Sequence, residues 1–106
     1  MNNKNRLTSF TSFKEFYLYY LSEHTNKLCR RLHFIGSVLV LCLLGYSILS
    51  EQFYLLWFIP VIGYGFAWIG HLFFEKNRPA TFKHPLYSLL GDWVMFKDIL
   101  VGEIPW

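Results

Sequence analysis

The 106 residues suffice for one small domain, and they are 54% apolar, 21% aromatic and only 16% charged. A soluble domain of that size needs a more charged surface. A net charge of +3, with no basic run interleaved with aromatics, excludes nucleic acid as a partner.

Residues 1–11 are polar and read as a frayed lead-in. Lys4, Arg6 and Lys14 precede the first apolar stretch, and no small-residue cleavage site follows one, so no signal peptide is read. Ser12 and Glu15 fit an S-x-x-E capping box, which predicts a helix start at Phe13. Phe13, Phe16, Tyr17, Tyr20, Leu21, His24 and Leu28 recur at helical spacing, so one amphipathic helix is expected over 13–28. Lys27, Arg30 and Arg31 make its end basic. Such a helix suits a membrane interface or packing against other helices.

Residues 32–49 and 53–74 carry no charged side chain. Each run is about long enough to cross the hydrocarbon core. Pro60, Gly63 and Gly65 weaken a water-soluble helix but are common in membrane helices. The connector Ser50-Glu51-Gln52 implies an antiparallel hairpin. Residues 1–31 hold six Lys/Arg, residues 75–106 hold four and the connector none. The positive-inside rule then puts both termini in the cytoplasm, at the inner membrane of a bacterium or the endoplasmic reticulum of a eukaryote. The alternative is a soluble hairpin with an unusually apolar core. On one helix Cys29 and Cys42 would lie about 20 Å apart, too far for a disulfide, and they read as free thiols.

A polar turn follows over 75–84. His84-Pro85 looks like a helix start, and Leu86, Leu89, Leu90, Trp93, Phe96 and Leu100 form one apolar face over 85–100. Asp92, Lys97 and Asp98 limit this helix to an interfacial or partly embedded position. The expected fold is all-α: one membrane-embedded helical bundle over 1–106, with two transmembrane helices in a hairpin and two flanking amphipathic helices.

Within that fold the histidines align. His33 lies seventeen residues before Ser50 and His71 nineteen after Gln52, about 26 Å and 28 Å from the turn. Both therefore sit at nearly the same depth, just inside the cytoplasmic face. Glu75 is one helical turn beyond His71, on the same face. His24 ends the preceding aromatic stripe and His84 opens the following helix, so all four histidines can converge on one layer. Imidazoles with a carboxylate and open positions suit non-haem iron. An amphipathic anchor, a packing coincidence and a haem-binding pair remain open, as does a non-enzymatic membrane module that binds a lipid or partner helix. Arg30, Arg31 and Arg78 read as headgroup contacts or topology determinants, or, for Arg78, as a carboxylate clamp. No HExxH, CxxC, GxGxxG or P-loop pattern is present.

Two stretches carry a resemblance. "EFYLYYLSEHTNKLCRRLHFIG" is similar to a tyrosine-rich helix followed by H-x-N-x-x-x-R-x-x-H, and "GHLFFEKNRPATFKHPLYSLLGD" to G-H-x-x-x-E-x-N-x-P-A-T-F-x-x-P-x-x-S-L-x-G-D. Together they cover about half of the chain and resemble the family of the yeast endoplasmic-reticulum 2-hydroxy fatty acid dioxygenase. The resemblance implies Fe(2+)-dependent α-oxidation, in which a long-chain 2-hydroxy fatty acid and O2 yield a chain one carbon shorter. It places His24, His33 and His71 on the family's motif histidines, with Glu75, Asn77, Pro79, Thr81, Gly91 and Asp92 on other marked positions and His84 inside the second motif. The implied metal and catalytic set is His24, His33, His71 and His84, with Glu75, Asn77, Arg78 and Asp92 around it or on the substrate. A metal just inside the membrane face suits a substrate whose head is polar and whose chain belongs in lipid.

Overall fold

The computed structural model describes residues 10–79 and 82–106. The polar lead-in before residue 10 and the motif's Thr81 lie outside the described residues. Four helices follow in chain order: α1 over Phe13–Ser22, α2 over Lys27–Leu49, α3 over Phe53–Glu75 and α4 over Pro85–Leu100. Among the described residues there is no strand, and the fold is all-α.

α1 starts as its capping residue dictates, with Ser12 Oγ accepting from the Glu15 amide at 3.3 Å. The helix expected over 13–28 is divided, however. α1 stops at Ser22, and Asn26 caps α2 by accepting from the amides of Leu28 at 2.8 Å and Cys29 at 3.2 Å. The stripe could not continue because His24 folds back. Its Nδ1 meets the Tyr20 carbonyl at 2.6 Å, the oxygen that a continuing helix would bond to the His24 amide. α2 therefore begins at Lys27, earlier than residue 32, and takes in the basic residues whose long stems leave their charges at the helix end.

α2 closes with two reverse bonds, Gln52 N to Ser47 O at 3.0 Å and Glu51 N to Ile48 O at 3.2 Å. Glu51 takes the left-handed conformation, φ 58°, that this cap requires. The chain reverses and enters α3 through a 3₁₀ turn, Phe53–Trp57. The α-helical part, Phe58–Ile69, then has Pro60 in its first turn, where a missing amide costs nothing. The last segment, Gly70–Glu75, is a π turn.

α2 and α3 are each long and apolar enough to cross a membrane. Only 22% and 11% of their most apolar windows is buried within the chain, so most of that apolar surface faces outward. The soluble alternative would need it covered. The two helices lie close at Gly70, where a Cβ would be 2.9 Å from Cys29 Sγ and 3.3 Å from the Cys29 Cα. At the same end α1 packs on α4. Phe16, Tyr20, Met95 and Ile99 are buried between them, each contributing about 1.5–3 kcal/mol by leaving water. Gly91 allows this approach, since a Cβ there would meet the Tyr20 ring at 3.0 Å.

Candidate metal centre

His33 comes from the second turn of α2, His71 from the π turn of α3 and His24 from the link between α1 and α2. All three are more than nine-tenths buried. Their rings meet edge to face, with centroids 4.4 to 5.1 Å apart. One potential ligand atom from each, together with Cys29 Sγ, falls within 4.8 Å of every other.

The hydrogen bonds fix what each ring presents. Nδ1 of His24 points at the Tyr20 carbonyl at 2.6 Å, Nδ1 of His33 at the Cys29 carbonyl at 2.9 Å and Nδ1 of His71 at Asn77 Oδ1 at 2.7 Å. A neutral imidazole facing a carbonyl oxygen carries its proton on that nitrogen. All three Nε2 atoms are therefore lone-pair donors. Two of them, on His24 and His33, face each other at 3.2 Å with no proton to share. Unscreened, that contact repels. Around a cation it is a fitting geometry, since metal–nitrogen bonds of about 2.1 Å at roughly right angles separate two nitrogens by about 3 Å. Oriented Nδ1–H groups behind free Nε2 atoms are the arrangement that metal-ligating histidines show. Burial, then His33 and His71, hold the His24 imidazole well below its usual pKa, which keeps it a neutral donor.

Cys29 lies on the other side of His33. Its Sγ is 3.8 Å from His33 Nδ1, the nitrogen turned away from His24. Its thiol also packs against Gly70.

The expected layer of four histidines is thus a layer of three. His84 is not in the group; its ring packs 5.1 Å from Phe10 and 5.4 Å from Phe16. Glu75 is also turned from its expected direction. A π turn takes i→i+5 bonds, so the residue four after His71 does not stack above it. The Glu75 carboxylate instead accepts from the Asn26 amide and, at 3.2 Å, from the Thr25 hydroxyl. Asn77 donates to the Glu23 carbonyl at 3.2 Å and to its carboxylate at 2.6 Å. Arg30 donates to the carbonyls of His24 and Thr25 at 3.2 and 2.9 Å. Three side chains from two helix ends thus clamp the link 23–26 that carries His24. Arg78 is exposed, and among the described residues no hydrogen bond or ion pair ties it to the histidines.

Asp92, from α4, is half-buried with Oδ1 4.0 Å from His33 Nε2, and it accepts a hydrogen bond from Tyr20. Burial raises its carboxyl to about 6, against which the Tyr20 bond acts. Tyr20 was legible in sequence only as a member of the aromatic stripe. Its ring stacks on His24 at 4.0 Å and its hydroxyl reaches Asp92, so it braces both. Its position four residues before His24 is the signal that could have singled it out. Ser88 is a second residue the sequence reasoning passed over. Its buried Oγ has no partner among the described residues and lines a cavity of about 10 Å³ with the three histidines and Asp92. That is room for about one water or ion.

A family model described as 2-hydroxy-palmitic acid dioxygenase Mpo1-like matches residues 10–104. The chain belongs to this family. Neither the curated proteins nor the solved structures gave a match. The family's description names a dioxygenase and a 2-hydroxy fatty acid, and the histidine–cysteine group of this chain could hold a metal ion.

Proposed function

We propose that this chain is an integral membrane, non-haem iron dioxygenase that shortens long-chain 2-hydroxy fatty acids by one carbon. The observation that carries the reading is the convergence of one ligand nitrogen from each of three histidines within 4.8 Å, with every Nδ1 facing an oxygen. His24, His33 and His71 would hold Fe(2+), which when bound would supply a site for O2 and for a chelating 2-hydroxy acid. Three protein ligands leave room for both. The family description supports this substrate class. The haem alternative fits less well, because the space of about 10 Å³ that the three imidazoles line has no room for a porphyrin.

The remaining residues have physical tasks. Ser88 Oγ, otherwise unpartnered, donates to the substrate carboxylate. Tyr20 holds the Asp92 carboxylate beside His33, where it can take up the proton of the substrate hydroxyl. Glu75, Asn77 and Arg30 keep His24 in place through the link. The reaction balances without another reductant. One 2-hydroxy acid and one O2 give the shortened acid, CO2 and water, as the bond between the carboxyl and the hydroxyl-bearing carbons breaks. With both termini cytoplasmic, the site lies just inside that face, where a lipid can present its head without leaving the bilayer.

The test is anaerobic loading with Fe(II), addition of a long-chain 2-hydroxy acid and ¹⁸O2, and mass spectrometry of the products. Label is expected in the shortened acid or CO2. His24→Ala, His33→Ala and His71→Ala should each abolish conversion. Product formation without O2, or full activity in these variants, would leave the non-enzymatic lipid-binding module as the better reading.

A further inference from the structure

A groove of about 220 Å³ runs from the imidazole cavity down the hairpin, open on one side. His33, Ala67 and Asp92 line both spaces, so the two abut. Beyond that polar mouth the lining is mainly apolar, with Ser37 and Tyr64 its polar members. On α2 it passes from His33 to Val40, and on α3 from Ala67 back to Pro60. Each is seven residues, about 10 Å along the helix. Leu89 and Trp93 of α4 cover the upper part.

Gly63 lines this groove without a side chain. At Gly63 an added Cβ would meet Val40 Cγ2 at 3.7 Å, ordinary contact across the space between α2 and α3. Any longer side chain there must enter the groove. At Gly65, two residues on, an added Cβ would meet nothing within 4 Å. The two glycines therefore differ in what they face and not in helix, depth or residue type.

We infer that this groove holds the part of the substrate's acyl chain nearest its head, directed toward the connector, and that Gly63 sets how long a chain can pass. The inference rests on the dioxygenase reading for the head group, since it places the carboxylate end at His33 and Asp92. The occupant follows from the shape: a slot with one polar mouth on a metal-binding cavity and an apolar body between two membrane-length helices fits a single-chain amphiphile. Gly63 touches neither the histidines nor their hydrogen-bonding partners, so a change there alters length selection and leaves metal binding intact.

The experiment has two arms on the purified full chain in detergent. First, kcat/KM is measured for 2-hydroxy acids of graded length in wild type, Gly63→Leu and Gly65→Leu, with iron content checked in each. Gly65→Leu should keep the wild-type length profile. Gly63→Leu should keep short acids but lose long ones by about tenfold or more, as overpacking of a filled slot requires. Second, a 2-hydroxy acid bearing a mid-chain diazirine is photolysed on wild type and the adducts are mapped. They should fall on residues 37–40 and 59–64. An unchanged length profile in Gly63→Leu, or adducts confined to other faces of the hairpin, overturns the inference. If Gly63→Leu fails to fold, the wild-type adduct map alone decides. If adducts lie in the groove but no 2-hydroxy acid is turned over, the dioxygenase reading fails and the acyl groove stands. If turnover is normal and adducts lie elsewhere, the groove fails alone. Neither turnover nor adducts removes both.

Discussion

Asn77 Oδ1 receives the Nδ1 proton of His71 at 2.7 Å, while the amide nitrogen of the same Asn77 grips Glu23 on the link that bears His24. One side chain thereby orients one imidazole and restrains the segment that carries another. Asn77→Ala should leave the chain folded but lower its metal affinity about 10–100-fold, the usual effect of removing a partner behind a ligand. Titration of Fe(II) or a spectroscopic surrogate into the apo-protein reads this directly. Unchanged affinity would show that the π turn alone sets His71.

His84 offers the opposite expectation. Its ring packs against Phe10 and Phe16 and lies outside the histidine–cysteine group. His84→Ala should lose about 1–2 kcal/mol of stability through lost aromatic packing and retain the wild-type iron content. Thermal unfolding in detergent and elemental analysis give the two numbers. Loss of the metal with unchanged stability would restore His84 to the ligand set.

The close approach of Gly70 to Cys29 can be tested by adding and removing atoms. Gly70→Ala puts a methyl group 2.9 Å from Cys29 Sγ and should cost about 1–3 kcal/mol by overpacking, with weaker metal binding as His33 and His71 are forced apart. Cys29→Ala alone should keep the metal, since the thiol lies on the protonated side of His33. Combined, the two substitutions should restore part of the loss, and a double-mutant cycle measures that coupling. Additive effects would mean that the two residues do not meet.

Asp98 carries a pH dependence outside the metal centre. Burial alone would raise its carboxyl, but hydrogen bonds from Lys97 and Tyr17 outweigh this and hold it below the usual carboxylate range. A depressed folded-state value means that the stabilisation is present above the unfolded value of about 4 and is lost as pH falls through the lower folded one. Asp98→Asn should cost about 1.5 kcal/mol at neutral pH and flatten this acid limb, as followed by unfolding midpoints between neutral and acid pH. An identical acid limb in the variant would rule the carboxylate out.

The hairpin was legible because charge-free length is a strong signal, and the shared depth of His33 and His71 followed from the helical rise alone. Two features were hidden for different reasons. The break at 23–26 lay under an unbroken apolar stripe, although Asn26 is a capping residue that could have marked it. The turning of Glu75 depends on a π turn, which hydrophobic periodicity does not encode. His84 was placed by sequence proximity to the second helix run, but tertiary contacts with α1 decide where its ring lies. Tyr20 and Ser88 look like ordinary helix residues until α1 and α4 are docked.

The three imidazoles also differ in when they are made. His71 follows His33 by thirty-eight residues, roughly 2–8 s of synthesis at about 5–20 residues/s. For that interval a nascent chain can offer at most two imidazoles from this set, held by a link whose clamps at Glu75 and Asn77 have not been translated. A two-donor half site with only Arg30 and Tyr20 to brace it would hold an ion weakly. On the proposed reading, metal capture would therefore wait on closure of the hairpin, and correct membrane topology would be a precondition for loading the ion.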